Sequence, residues 1–458
     1  MAKILLLTSG LTGILNASFA VAHRLQKVGH EVVLAAPRAV GKRVEQEGLS
    51  FHQLPDIPQH PLPRKSRSGK KIGKLGRLFD GYIKQKKRQK KALQNLRPTT
   101  FINWAKREAP DLLLLDVELH EYIIATHAQK WPFLLLSQWF SLWHQPGLPY
   151  LLHDTIPGVG EAGTPKAIEK SWKKIKRQRQ NIFARKRFLS GGTDRRSTLL
   201  AYAKEQGFPM KYIGENWWPG PYTYDELPVL SMTAMEMEFP HDPRPNLHYI
   251  GPMVHAQRQE ASVKSIRGIA LDDIFTRREA TRAKLIYCSV STLSTGDHHF
   301  IRKLIRAVAN RPDWLLIFST GGHLNTQHFG QLPSNTFAFS YAPQLRILKE
   351  ADLSINHGGI HTIHECLHFK VAMLVYSGQA SDQNGCAARV AFHELGIMAN
   401  KNVDSPEDIQ NKINSVLTDE RYRNNVQKMH KNVLAYQQNS VLEHLITEHL
   451  SHPIIQTT

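Results

Sequence analysis

The chain has 458 residues, 41% hydrophobic and 9% aromatic, with a formal net charge of +20. That length supports two domains with a core in each, and no apolar run reaches the roughly 18 residues of a membrane span. Three cysteines are too few, and an odd number, for a disulfide framework or a cysteine-held metal, which points to a reducing cytoplasm. The charge is local: thirteen Lys or Arg face one acid from Arg64 to Lys91, and ten face one from Lys166 to Arg187, which leaves the rest near neutral.

In chain order, KILLLT reads as a buried strand and not as a leader. Its apolar run is broken by Gly10, Gly13 and Asn16, and no small-residue cleavage site follows. ASFAVAHRLQKVG has helical periodicity, EVVLAA is a second strand, DLLLLD a third and PFLLLS a fourth, with the helix HEYIIATHAQK between the last two. The second half repeats this alternation: strands KLIYCSV, WLLIFST, TFAFSY, LSINHG and AMLVYS, separated by helices such as FIRKLIRAVANR, IHTIHECLHF and GCAARVAFHELG. Such alternation predicts two α/β domains with parallel sheets. The division predicted is an N-terminal domain over 1–253, a polar linker over 254–283 and a C-terminal domain over 284–458. No internal repeat is evident.

The basic insertions, 64–91 and 166–187, fall in the first domain. Ile72, Leu75, Phe79 and Tyr82 in one, and Ile168, Trp172, Ile175 and Ile182 in the other, recur at helical spacing. Basic amphipathic helices with aromatic residues suit an anionic membrane surface; packing of the stripe on its own domain is the alternative. Nucleic acid is not expected as a partner, because no reader motif accompanies the charge.

The stretch from Tyr341 to Gln383 carries most of the chemistry. His357-Gly358-Gly359 lies between a strand and a helix, where glycine admits a ligand close to the backbone and free N–H groups bind phosphate. Thr362 adds a hydroxyl, and Glu365, further along, can hold two ribose hydroxyls. Asp382 and Gln383 follow the C-terminal end of AMLVYS, the edge at which open parallel sheets bind ligands, and suit sugar hydroxyls. Tyr341 can stack on a base, with Gln344 hydrogen-bonding beside it.

This order of residues resembles the signature of the UDP-glycosyltransferases, inverting enzymes with the two-domain GT-B fold. LIYCSVSTLSTG, GQLPSNTFAFSYAPQ and LPVLSMTAMEMEFP, the last followed by HYIGPM, resemble the branch that glycosylates macrolides and carotenoids such as zeaxanthin. The likeness is strongest from Lys284 to Ala399. It implies two Rossmann-like domains facing across a cleft and a UDP-sugar co-substrate, with no resident cofactor or metal. It further implies Tyr341 and Gln344 on the base, Glu365 on the ribose, His357, Gly358 and Gly359 on the diphosphate, Asp382 and Gln383 on the hexose, and Ser291 and Thr292 near the donor. The chain departs from the family at Ile360-His361-Thr362, where Trp-Asn-Ser is usual, and at Lys370-Val371-Ala372, where Gly-Val-Pro is usual.

An inverting transfer needs a base for the acceptor hydroxyl. The resemblance places it in a Gly-His pair after the first strand, but here Gly13 is followed by Ile14, which cannot accept a proton; Asn16 can only orient a hydroxyl. Asp116 matches the family's assisting carboxylate, and Glu118 and His120 follow on alternate positions. On a strand all three share a face, and on a helix they spread around the first turn. Either His120 or Glu118 is the expected replacement base, oriented by Asp116. The loop WFSLWHQPGLPYLLHDTIPGVGEAG, with Trp139 and Trp143, suits a lipophilic acceptor. The expected function is hexose transfer from a UDP-sugar to a lipophilic, membrane-derived acceptor, by an enzyme peripheral to the inner face of a membrane. The alternatives are a nucleotide-sugar-binding protein without catalysis and an epimerase of the same fold.

Overall fold

A computed structural model of the chain describes residues 1–55, 74–214, 220–260, 265–289, 298–321, 329–378 and 382–451, with backbone only over 74–82. Apolar runs become strands buried on both faces, as parallel sheets require. In the first domain these are β1 (Lys3–Leu7), β2 (Glu31–Pro37), β3 (Ser50–Leu54), β4 (Leu112–Asp116) and β5 (Phe133–Ser137). A short antiparallel pair follows, β6 (Ile213–Gly214) and β7 (Thr223–Tyr224), then β8 (Val229–Ser231) and β9 (Leu247–Tyr249). The second domain has β10 (Lys284–Ser289), β11 (Trp314–Ser319), β12 (Thr336–Phe339), β13 (Leu353–Asn356), β14 (Ala372–Tyr376) and β15 (Gly396–Ala399).

The sheets run β3-β2-β1-β4-β5-β8-β9 and β12-β11-β10-β13-β14-β15, with parallel pairing throughout. Each reverses direction once, between β1 and β4 and between β10 and β13. Such switch points open a crevice at the strands' C-terminal ends. The helices on the first sheet are α1 (Thr12–Lys27), α2 (Gly41–Gln46), α3 (Lys74–Leu96), α4 (Thr99–Glu108), α5 (His120–Ala128), α6 (Pro165–Ser190) and α7 (Arg195–Glu205). Those that follow are α8 (Leu271–Thr281), α9 (His298–Ala309), α10 (Gln344–Glu350), α11 (Ile360–His368), α12 (Gln383–Phe392), α13 (Pro406–Thr418), α14 (Glu420–Gln438) and α15 (Val441–Ser451). The last of these returns to the first domain: Leu442 and Ile446 are fully buried in the cluster that holds Ile4, Leu6, Leu34 and Ile250, and Glu443 pairs with Arg24 of α1 at 2.6 Å.

The basic insertions form α3 and α6. The apolar stripe of α6 does not face outward as the membrane reading requires. Ile168, Trp172 and Ile175 are buried against Tyr150, and Trp172 Nε1 donates to the Leu148 carbonyl at 2.8 Å. A helix this charged gains more by placing its few apolar residues in a core than in solvent. Ile182, further along, is exposed. Ile72 lies outside the described residues, as do the side chains of Leu75, Phe79 and Tyr82.

The two domains meet over a packed interface. Arg389 of α12 donates from Nε and Nη2 to Glu238 of the first domain at 2.8 and 2.6 Å. The guanidinium lies 4.6 Å from the ring centres of both Phe140 and Phe239, and the other Glu238 oxygen accepts from the Ser141 amide at 2.5 Å. Gly385 lies so close to the Leu151 carbonyl that a Cβ would stand 2.0 Å from its oxygen. The predicted apolar loop goes mainly into this packing: Phe140, Leu142, Trp143, Leu148 and Leu151 are buried. Trp143, expected on the acceptor side, donates from Nε1 to the Tyr224 carbonyl at 3.2 Å inside the first domain. All three cysteines are buried and unbridged.

Candidate functional site

The two switch points face each other. On the second domain β13 ends at Asn356, whose Oδ1 accepts from the Gly358 amide at 2.9 Å. Gly358 has φ +82°, and a Cβ there would lie 2.8 Å from the Gln383 carbonyl oxygen, so this turn requires glycine. The His357 ring folds over Gly359, with Nε2 placed 2.6 Å from where a Cβ would be. α11 begins after Gly359 without a side-chain cap, and uncapped amides at a helix start can hold a phosphate. Thr362 lies in this first turn.

Glu365 and Gln344 are brought together. Gln344 Nε2 donates to Glu365 Oε2, and Tyr287 OH donates to Gln344 Oε1 at 3.2 Å. Arg258, from the interdomain segment, pairs with both Glu365 and Glu260. Glu260 in turn accepts from the Leu345 and Arg346 amides at the start of α10. Tyr341 stands 63% exposed at the rim, open to a planar ring. Asp382 is buried at the start of α12, and Gln383 Oε1 accepts from the Gly378 amide at 2.8 Å, which ties the end of β14 to the start of α12. Ser291 and Thr292 lie outside the described residues.

On the first domain the chain turns immediately after β4. Asp116 Oδ1 accepts from the Glu118 amide at 3.0 Å, and α5 begins at His120, so Asp116, Glu118 and His120 do not share a face. His120 is not the base expected from the sequence. It is buried beneath the Tyr222 ring, shares a 2.8 Å hydrogen bond with Tyr224 OH, and is pushed down to about 3 by burial and then by Arg195. Asp116 and Glu118 remain together. Burial raises both carboxyls above their ordinary range, and Glu118 is raised further by Asp116 and by Asp382 across the cleft. Gln138 Nε2 donates to Glu118 at 3.4 Å, and the nearby Trp139 indole partly offsets the upward shift. Trp139 thus lies beside Glu118.

Ile14 is buried at the start of α1, and Asn16 Oδ1 is engaged by Arg43 Nη2 at 2.9 Å. Gly13 is in contact with His361 of α11: a Cβ on Gly13 would lie 2.4 Å from the imidazole Cδ2. His361 Nε2 is covered and has no hydrogen-bond partner, and burial with the nearby Arg258 pushes this ring down to about 4. Sequence reasoning missed His361, Arg258 and Glu260 as site residues; the only local signal was His361 standing where the family has Asn. Among the described residues, His23, Glu47 and His255 are grouped closely enough to hold a cation, on α1, at the end of α2 and in the segment after β9. None of the three touches the Glu118 cluster in the contacts above.

Residues 317–446 match the erythromycin biosynthesis protein CIII-like C-terminal domain. The resemblance to the UDP-glycosyltransferases stands. The chain is 31% identical over 137 residues to the oleandomycin glycosyltransferase of Streptomyces antibioticus, covering 29% of this chain and 32% of that protein. It is 26% identical over 209 residues to the zeaxanthin glucosyltransferase of Pantoea ananas, covering 45% of each. The chain thus aligns with about a third to a half of the length of these relatives. Among solved structures, the glycotransferase of kitacinnamycin superposes with a TM-score of 0.65 at 18% identity over 95% of both chains. The calicheamicin glycosyltransferase CalG4 does so with 0.62 at 14% over 99% of both. The fold is GT-B.

Proposed function

We propose that the protein is an inverting glycosyltransferase that moves a hexose from a UDP-sugar to a hydroxyl of a lipophilic acceptor. The observation that carries this reading is the Asp116–Glu118 pair of the first domain, near enough to Asp382 of the second for that carboxylate to raise Glu118. The solved neighbours include one complexed with dTDP and one with an aglycone, and the relatives act, by name, on oleandomycin and zeaxanthin. These support a nucleoside-diphosphate sugar and an apolar acceptor.

The acceptor oxygen attacks the anomeric carbon while the bond from that carbon to the β-phosphate oxygen breaks. The acceptor's proton goes to Glu118, and the electron pair leaves with the diphosphate. A carboxylate whose affinity for a proton is raised by burial is a stronger base than an exposed one. Asp116 raises the affinity of the neighbouring Glu118 for that proton, and conversion of Glu118 to the neutral acid relieves the repulsion between the two carboxylates; Gln138 aims the carboxylate. The α11 amides, with His357 and Thr362, face the charge that develops on the leaving diphosphate. Asp382 and Gln383 hold the hexose, Glu365 and Gln344 the ribose and base edge, and Tyr341 the base face. The enzyme works in the cytoplasm.

The test is UDP release from UDP-glucose in the presence of a membrane-lipid extract. Glu118→Gln loses at least about 100-fold in kcat, within the range for a removed general base, while still binding UDP. Full turnover by Glu118→Gln overturns the assignment. UDP-sugar binding by the natural protein with no turnover on any lipid fraction would support the non-catalytic alternative that Ile14 suggests.

A further inference from the structure

A second cavity lies apart from the cleft and shares no lining residue with it. It is a groove of about 1080 Å³ between α3, α6 and α7, at or above the upper end of the roughly 300–1,000 Å³ usual for ligand pockets. The face of α7 that lines it is set by helical spacing. Thr198, Leu199, Tyr202 and Ala203 are buried, so Arg196, Leu200 and Lys204, four residues apart, form the groove wall. Lys86, Lys90 and Leu93 line it from α3, and Phe183 and Arg187 from α6.

Five cations therefore ring an apolar floor of Leu93, Phe183, Leu200 and Met210. The only carboxylate among the described lining residues is Asp194, which is already engaged: it caps α7 by accepting from the Ser197 amide at 3.0 Å and accepts from Ser190 Oγ at 3.1 Å. The walls are tied together, since Gln89 Nε2 of α3 donates to the Gly191 carbonyl at the end of α6 at 2.7 Å, and the Arg196 guanidinium lies 4.8 Å from the Phe183 ring centre. Beside the groove, the last turn of α6 presents Phe188 at 85% and Leu189 at 69% exposure, directly after Arg185, Lys186 and Arg187.

We infer that this face docks on an anionic phospholipid bilayer, with the groove cations on lipid phosphates and Phe188 and Leu189 below the headgroups. Positive charge alone would suit nucleic acid equally. The apolar floor and the adjacent large apolar side chains favour lipid, because long cationic side chains carry their charge at a headgroup while their stems lie along apolar surface. The surface is not the α6 stripe that the sequence suggested but the far end of the same helix. The inference deepens the proposed reading by giving the acceptor a source, and its test uses no sugar donor, so each can fail without the other.

The test is co-sedimentation of the full chain with vesicles of phosphatidylglycerol and phosphatidylcholine, against vesicles of phosphatidylcholine alone. The natural protein sediments with the first and not the second. The triple variant Lys90→Gln, Arg187→Gln, Lys204→Gln loses about 100-fold in partitioning, as expected when each cation contributes about fivefold at such a surface. Phe188→Ser with Leu189→Ser also weakens binding, with unchanged melting temperature because both side chains are exposed. Lys349→Gln, Lys428→Gln and Lys431→Gln together, exposed on the second domain, leave binding intact. The inference is overturned if the natural protein ignores anionic vesicles, if the two triple variants behave alike, or if the groove variant loses RNA binding while vesicle binding is unchanged.

Discussion

Glu118→Gln should make the empty protein more stable while removing its activity. The carboxyl is raised from 4.5 to about 8, first by burial and then by Asp116. A carboxyl that binds its proton more tightly when folded destabilises the folded state as pH rises above its unfolded value, and this loss is complete above its folded value. At about pH 7.5 such a shift costs up to about 4 kcal/mol at 1.36 kcal/mol per unit. Proton sharing with Asp116 and water entering the cleft reduce this to about 1–2 kcal/mol. Glutamine keeps the shape and can still accept from Gln138, so it removes the cost of the buried charge and little else. At about 2–4 °C per kcal/mol for a domain of this size, the variant should melt about 2–8 °C higher at pH 7.5. At pH 5.5 the same arithmetic leaves about a third of the gain. Thermal unfolding of both proteins across this pH range, without nucleotide, measures it. A gain that does not change with pH, or a loss at every pH, refutes the electrostatic account of Glu118.

The same group sets the pH dependence of catalysis: kcat/KM should rise with pH and level off above about 8, as Glu118 gives up its proton, and a profile flat from pH 6 to 9 contradicts this. His120→Ala should lower stability by about 2 kcal/mol through a lost buried contact while retaining most turnover per folded molecule, measured by UDP release beside a melting curve. Tyr341→Ala should raise the KM for the sugar donor about 5- to 150-fold, in line with about 1–3 kcal/mol of base stacking, with no change in melting because the ring is exposed. Glu238→Ala leaves Arg389 charged and unpaired in the domain interface, and should cost about 3–5 kcal/mol in chemical denaturation.

Much of the fold was legible because parallel strands buried on both faces are written as unbroken apolar runs; LLLL of β4 and VAMLVY around β14 admit little else. The donor side was legible for a different reason. Its residues lie within one stretch, so the strand-turn-helix sequence around Gly358 brings them together by itself. The acceptor side was less so. Asp116 to His120 fits both strand and helix periods, and the decision rests on one hydrogen bond from the Glu118 amide to Asp116, which turns the chain and sends His120 inward to Tyr224. Helical spacing in α6 announces that Ile168, Trp172 and Ile175 are covered, but not whether by lipid or by Tyr150. Long-range partners leave no local trace: nothing near Glu238 foretells Arg389, and nothing near Gly13 foretells His361.

The return of α15 to the first sheet bears on how the molecule is made. During synthesis, residues 1–253 leave the ribosome long before Leu442 and Ile446, which complete the first domain's core. The domain made first is therefore finished last, and until then it exposes an apolar seam against α1 and β2 on which misassembly can start. The second sheet, with its strands contiguous from Lys284 to Ala399, has no such debt to a distant segment. Separately expressed halves should accordingly differ in behaviour, the C-terminal one soluble and the N-terminal one rescued by adding a peptide that spans 441–451.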